Sequence, residues 1–174
     1  KLEQLDDAEL IYKVLLERWP DHPDVLNHMG ILQHQRGEHA AALTLLRHAV
    51  EVAPDAAGIW NNLGNVLMGV AQTEEAEHAF RRSIELEENP EALSNLGKVL
   101  RRRKRWTEGE AACRRAIEIA PTFGDAWHHL SLLLVAQDRV PVAIVAASKA
   151  VLLLPPHKRR RDSYTRALAP ELEV

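Results

Sequence analysis

The chain has 174 residues, 46% apolar and 27% charged, with 22 Lys and Arg against 25 Asp and Glu for a formal net charge of −3. That balance excludes the strongly basic footprint of a typical nucleic-acid binder, and one cysteine excludes an internal disulfide framework. No apolar run reaches the roughly 18 residues of a membrane span and no secretory leader is recognisable, so a cytoplasmic protein is expected.

Taken in chain order, the sequence repeats itself. Residues 1–22 make half a unit, in which Ala8, Tyr12 and Leu15 trace one apolar stripe at helical spacing and Pro20 follows. Because the chain starts at Lys1 in mid-unit, it is expected to be part of something longer. Four full units follow, at 23–56, 57–89, 90–123 and 124–157. Their register is carried by Pro54 and Pro121, by Gly30, Gly64, Gly97 and Ser131 at steps of 34 or 33, and by Ala42, Ala76, Gly109 and Ala143 in a second phase. Ala49, Ser83, Ala116 and Ala150 keep a third. A period of about 20 to 50 residues means an array, because one unit cannot bury its own apolar face and must borrow its neighbour's.

Within each unit the apolar residues follow helical spacing twice. Trp60, Leu63, Gly64 and Leu67 form one stripe, and Ala76, Ala79, Phe80, Ser83 and Ile84 form another. Each unit is therefore a predicted helical hairpin, reversing near Gly37, Ala71, Lys104 and Asp138. Thr73 reads as the N-cap of a second helix, with Glu74 in its first turn. Cys113 falls at a core position and is expected to be a buried small hydrophobe rather than a nucleophile. Trp106 opens a second helix and is expected to pack in its hairpin, whereas His48 and His78 are expected to face solvent. At Glu88 the proline is missing and the step falls to 33, so the joint between the second and third hairpins is expected to differ from the others. Residues 158–174, with Arg160, Tyr164, Ala167 and Leu168, predict a further helix that caps the array or opens another unit. Apolar edges at the two ends would favour self-association.

Trp60, Leu63, Gly64, Ala76, Phe80 and Ser83, with Leu93, Leu96, Gly97, Ala116 and Pro121 in the next unit, carry a pattern that resembles the tetratricopeptide repeat over nearly the whole chain. Glu88, Gly109, Cys113 and Ser131 depart from it. The resemblance implies an all-α right-handed superhelix of hairpins that binds protein partners on a concave face lined by the first helix of each unit. The outward residues of those helices include Asn27 and His28, then Asn61, Asn62 and Asn65, then Asn95, Lys98, Arg101 and Arg102, then His128 and His129. They are the candidate partner-binding groove.

His28, Asn62, Asn95 and His129 share one phase, a ladder of side chains able to donate and accept hydrogen bonds along the backbone of an extended peptide. It is similar to the asparagine ladder in the repeat region of O-linked N-acetylglucosamine transferases. A carboxylate clamp of the kind that captures chaperone tails fits poorly, because Lys98 and Arg102 come one turn late. The cations of that stretch nevertheless suit an acidic protein partner.

Other chemistry is thinly supported. The basic run from Arg101 to Arg105 and the cluster from Lys158 to Arg161 lack an aromatic stacking platform and read as solvated helix ends, so no nucleic-acid and no membrane partner is expected. No metal or other cofactor is expected, since His34 and His39 straddle a turn and adjacent His128 and His129 diverge by about 100° on a helix. Thr44 beside His48, and Ser131 beside His128, lack an orienting acid and an oxyanion hole, so no catalytic residue is assigned. The functional expectation is a protein-interaction scaffold. The alternative is the substrate-recognition or oligomerisation region of a larger bacterial glycosyl-, methyl- or sulfotransferase.

Overall fold

A computed structural model of the chain describes residues 2–154, and the helix expected after His157 lies outside them. The described residues form nine helices and no strand: α1 (Leu2–Arg18), α2 (Pro23–Arg36), α3 (His39–Val52), α4 (Ala57–Gly69), α5 (Thr73–Leu86), α6 (Pro90–Arg102), α7 (Trp106–Ile119), α8 (Gly124–Ala136) and α9 (Val140–Leu153). The chain divides into two compact units, Lys1–Glu87 and Glu88–Val174. The division falls at the position where the sequence lacks its proline.

In the first unit α2 pairs with α3 and α4 with α5, while α1 packs on α2 and α3 on α4. In the second, α6 pairs with α7 and α8 with α9, and α7 packs on α8. The hairpin partners approach closely because the facing positions are small. A Cβ on Gly64 would stand 2.6 Å from the Phe80 ring, so that ring lies against bare backbone. Phe80 is the largest fully buried side chain among the described residues, and its removal from water contributes about 2–3 kcal/mol.

The departures at Gly109 and Cys113 offset each other. With no aromatic side chain at 113, α6 and α7 meet through Gly97 and Gly109, and a Cβ on Gly109 would lie 3.2 Å from the Gly97 carbonyl oxygen and 2.9 Å from Leu133 Cδ2. Leu133 of α8 occupies the space and joins Cys113, Leu130, Leu134, Ala143 and Ala146 in one buried cluster. Burial pushes the Cys113 thiol up to about 12, with the Glu110 carboxylate adding to the effect.

Two kinds of connection alternate. Within each hairpin one residue takes the left-handed conformation: Gly37 (φ 87°), Ala71 (φ 63°), Lys104 (φ 60°) and Asp138 (φ 58°). The next amide bonds back to the end of the first helix, from Glu38 N to Gln33 O, Gln72 N to Leu67 O, Arg105 N to Leu100 O and Arg139 N to Leu134 O, at 2.9–3.0 Å. These bonds satisfy carbonyls that a helix end would leave open. Between hairpins the proline register shows its cause. Trp60 Nε1 donates to the Pro54 carbonyl at 3.0 Å, and Trp127 Nε1 to that of Pro121 at 2.8 Å. Each such indole ties the start of a hairpin to the proline six residues before it.

The third hairpin lacks both members, with Leu93 and Glu88 in their places, and uses other fastenings. Asn89 Oδ1 accepts from the Ala92 amide at 2.8 Å, the only side-chain N-cap bond among α2 to α9. Glu88 takes two bonds of 2.8 Å from Arg115 of α7, which holds its carboxyl below the usual range.

Two expectations are corrected. The N-cap of α5 is Gln72, without a side-chain bond, and Thr73 is the first helical residue, its hydroxyl turned to Glu74. Trp106 is 38% exposed at the start of α7 instead of packed inside the hairpin. His78 is exposed with its ring edge to Trp60, while His48 reaches Asp21 at 2.9 Å.

Candidate protein-interaction faces

In the first unit the first helices are α2 and α4. The two helices touch and bring Asn27 and Asn62 together, and Asn62 Nδ2 donates to Asn27 Oδ1 at 2.9 Å. The bond orients both amides and leaves the Asn27 amide hydrogens and the Asn62 carbonyl oxygen for further partners. Asn65, one turn on, is half-buried, whereas Asn61 is buried among its neighbours. His28 is exposed but engaged with its own surroundings, donating from Nδ1 to the Asp24 carbonyl at 2.6 Å and stacking on Tyr12 with ring centroids 6.1 Å apart. The sequence-predicted ladder position at 28 therefore points along its own helix.

A groove of about 370 Å³ opens elsewhere in this unit, lined by α3, α4 and α5. Its floor is apolar, from Val50, Leu63, Leu67 and Ala79, and the Arg47–Glu75 ion pair at 2.8 Å joins two of its walls.

In the second unit α6 and α8 enclose a cavity of about 650 Å³. Helix α6 contributes Asn95, Lys98 and Arg101, and α8 contributes His128 and His129. Five sequence-predicted residues thus share one wall system, while Arg102 is exposed and lies outside it. The two imidazoles sit 5.3 Å apart, inclined by 53°, His128 buried and His129 half-buried. Burial holds the Lys98 ammonium below the ordinary lysine range, Arg102 and Arg101 push the same way, and Asp125 opposes them.

Sequence reasoning, which reads Leu132 as an outward residue of α8, missed the acids and the rest of the apolar part of this cavity. Glu91 and Asp125 line it, as do Phe123, Leu132 and Leu154. The two acids are 34 residues apart in the phase of Asp24, in the first turns of α6, α8 and α2, where the helix dipole favours a carboxylate. The signal was present in the repeat.

His34 and His39, set aside as metal ligands because they straddle a turn, meet across it with their Nδ1 atoms 3.0 Å apart. Among the described residues no group of three or more His, Cys, Asp or Glu converges to hold a metal, and no helix is long and apolar enough to cross a membrane. The two hydroxyls weighed for catalysis are engaged within their own helices, Thr44 with the Ala40 carbonyl at 3.1 Å and Ser131 with that of His128 at 2.7 Å.

Comparison with known proteins agrees with this architecture. Two tetratricopeptide repeat family models match residues 1–61 and 61–122. The human tetratricopeptide repeat protein 7B is 32% identical over 89 residues, covering 51% of this chain and 11% of that protein. The human tetratricopeptide repeat protein 7A is 32% identical over 83 residues, 48% of this chain and 10% of that protein. The chain thus spans about a tenth of the length of these curated relatives. Among solved structures, MamA residues 41 to the end from Desulfovibrio magneticus RS-1 superimposes with a TM-score of 0.76 at 21% identity, over 91% of this chain and 88% of that one. YrrB, described as a TPR protein with an unusual peptide-binding site, gives a TM-score of 0.71 at 21% identity over 90% and 81%. The 34-residue register, the indole-to-proline ties and both family models point to one conclusion: this all-α chain belongs to the tetratricopeptide repeat family.

Proposed function

We propose that the chain is a protein-interaction scaffold that holds an extended segment of a partner against the first helices of its hairpins. The Asn27–Asn62 amide pair carries this reading. Two amides fixed against each other before a ligand arrives lose little freedom on binding, and they present a donor and an acceptor to any peptide group whatever its side chain. An amide pair of this kind recognises backbone rather than a particular side chain. YrrB, whose described feature is a peptide-binding site, shares the fold and supports the same use of it.

Fluorescence anisotropy with a labelled, uncharged extended peptide tests the proposal. Replacing both amides, Asn27→Ala with Asn62→Ala, is expected to weaken binding by about tenfold, the loss of one or two hydrogen bonds of about 1 kcal/mol each. The melting temperature should stay within a few degrees of the parent. Unchanged affinity would sink the backbone-holding role.

A further inference from the structure

The cavity between α6 and α8 combines features that an ordinary solvated helix face does not need. Lys98, Arg101 and Arg102 stand at i, i+3 and i+4 of α6, so three cations crowd one side of one helix, and Lys98 is half-buried among them. Their mutual repulsion and the loss of water both raise the free energy of the empty site. Asp125 offsets this only in part, because the balance still disfavours the charged lysine.

Beneath the cations, Ser94 is 1% exposed and lines the cavity, and its Oγ has no hydrogen-bond partner among the described residues. The buried Nε of Arg101 likewise has none. An unpaired buried donor costs about 1–3 kcal/mol, so two of them at one wall mark a place where an acceptor is wanted. The other part of the cavity is apolar, from Phe123, Leu132 and Leu154. Charge in the sequence is distributed to match. Residues 88–174 hold fifteen Lys and Arg against ten Asp and Glu, whereas residues 1–87 hold seven against fifteen.

We propose that this cavity is the subsite for an acidic side chain of the bound partner segment, its carboxylate held by Lys98, Arg101 and the Ser94 hydroxyl while a neighbouring apolar side chain of the same segment packs on Leu132 and Leu154. The inference rests on the scaffold reading and specifies the sequence class that the scaffold selects. A carboxylate supplies the acceptors that Ser94 and Arg101 lack and the negative charge that relieves the lysine. An apolar neighbour fills the half of the cavity where an ion alone would leave Leu132 against water. Glu91, exposed at the rim, and Asp125 set a limit on the charge admitted, favouring a single carboxylate over a polyanion.

The test uses the whole chain and two labelled peptides with blocked ends, one carrying two glutamates followed by two leucines, the other with glutamines in place of the glutamates. The glutamate peptide should bind about tenfold more tightly. Lys98→Met should abolish that preference while raising the melting temperature of the free protein, since it removes a cation that the fold disfavours. Lys98→Arg should retain the preference. Arg101→Gln, on the edge of the cavity, provides a second variant with the same expected loss. Equal binding of both peptides, or a preference that survives both Lys98→Met and Arg101→Gln, would overturn the subsite, as would tighter binding of a single-stranded oligonucleotide than of the glutamate peptide. The two readings fail separately. A glutamine peptide that binds as well as the glutamate peptide but is lost in Asn62→Ala leaves the scaffold and removes the subsite; a glutamate peptide indifferent to Asn62→Ala does the reverse.

Discussion

His34 and His39 show what a single pair of side chains can impose. Their Nδ1 atoms are 3.0 Å apart, and burial first, then the second imidazole, holds His34 below the usual histidine range. One ring can donate to the other only while at least one is neutral. The folded pKa of His34 lies below its unfolded value near 6.5, so the fold binds fewer protons than the unfolded chain in the interval between them. Stability from this pair is therefore full above about pH 6.5 and is lost as the pH falls through the folded value. The urea midpoint is expected to drop between about pH 7.5 and about pH 5.5, and His34→Gln should flatten that slope. An unchanged slope in the variant would assign the pH dependence to other groups. The contact was hidden from sequence inspection because a five-residue spacing across a turn has no fixed geometry until Gly37 takes its left-handed conformation.

At the scale of the helices, the interior of each hairpin is controlled by what is missing. Phe80 fits only because Gly64 has no side chain, so Gly64→Ala should destabilise the protein by about 1–3 kcal/mol, seen as a lower urea midpoint with little change in slope. Adding Phe80→Leu to that variant should recover part of the loss, and full additivity of the two changes would refute the direct clash. Much of this level was legible beforehand. The reversals at Gly37, Ala71, Lys104 and Asp138 fall at the residues named from the repeat, because a hairpin of fixed helix length must turn at a fixed phase. Caps were less legible, as at Thr73, since one hydroxyl can serve either the helix it precedes or a side chain in its first turn. The indole-to-proline tie could have been inferred from the joint absence of Trp and Pro around Glu88, but only once both partners were seen to share a bond.

For the whole molecule, the net charge of −3 conceals an acidic first half and a basic second half. Binding of an acidic segment is therefore expected to be steered by a field that the overall charge does not suggest. The association rate of the glutamate peptide should fall several-fold between about 0.01 M and about 0.15 M salt, as the screening length shrinks from about 30 Å to about 8 Å. The dissociation rate should change less, being set by the contacts around Lys98. Stopped-flow measurements that showed no salt effect on association would exclude such steering. This level was the least legible in the sequence. Asn95, Lys98, Arg101, His128, His129 and Leu132 were identified one helix at a time, yet their closure with Glu91, Asp125, Phe123 and Leu154 depends on how α6 and α8 meet, which no one-dimensional pattern states.

The left-handed turns have a practical consequence. Ala71 and Asp138 are exposed at the tips of their hairpins, in each of the two units, with no structural bond drawn from their side chains among those described. Cys113, fully buried with its thiol pushed up to about 12, will not compete for a maleimide at neutral pH. A cysteine placed at either tip therefore becomes the one addressable handle on an otherwise unaltered chain, and a dye at each would make the protein its own spectroscopic ruler.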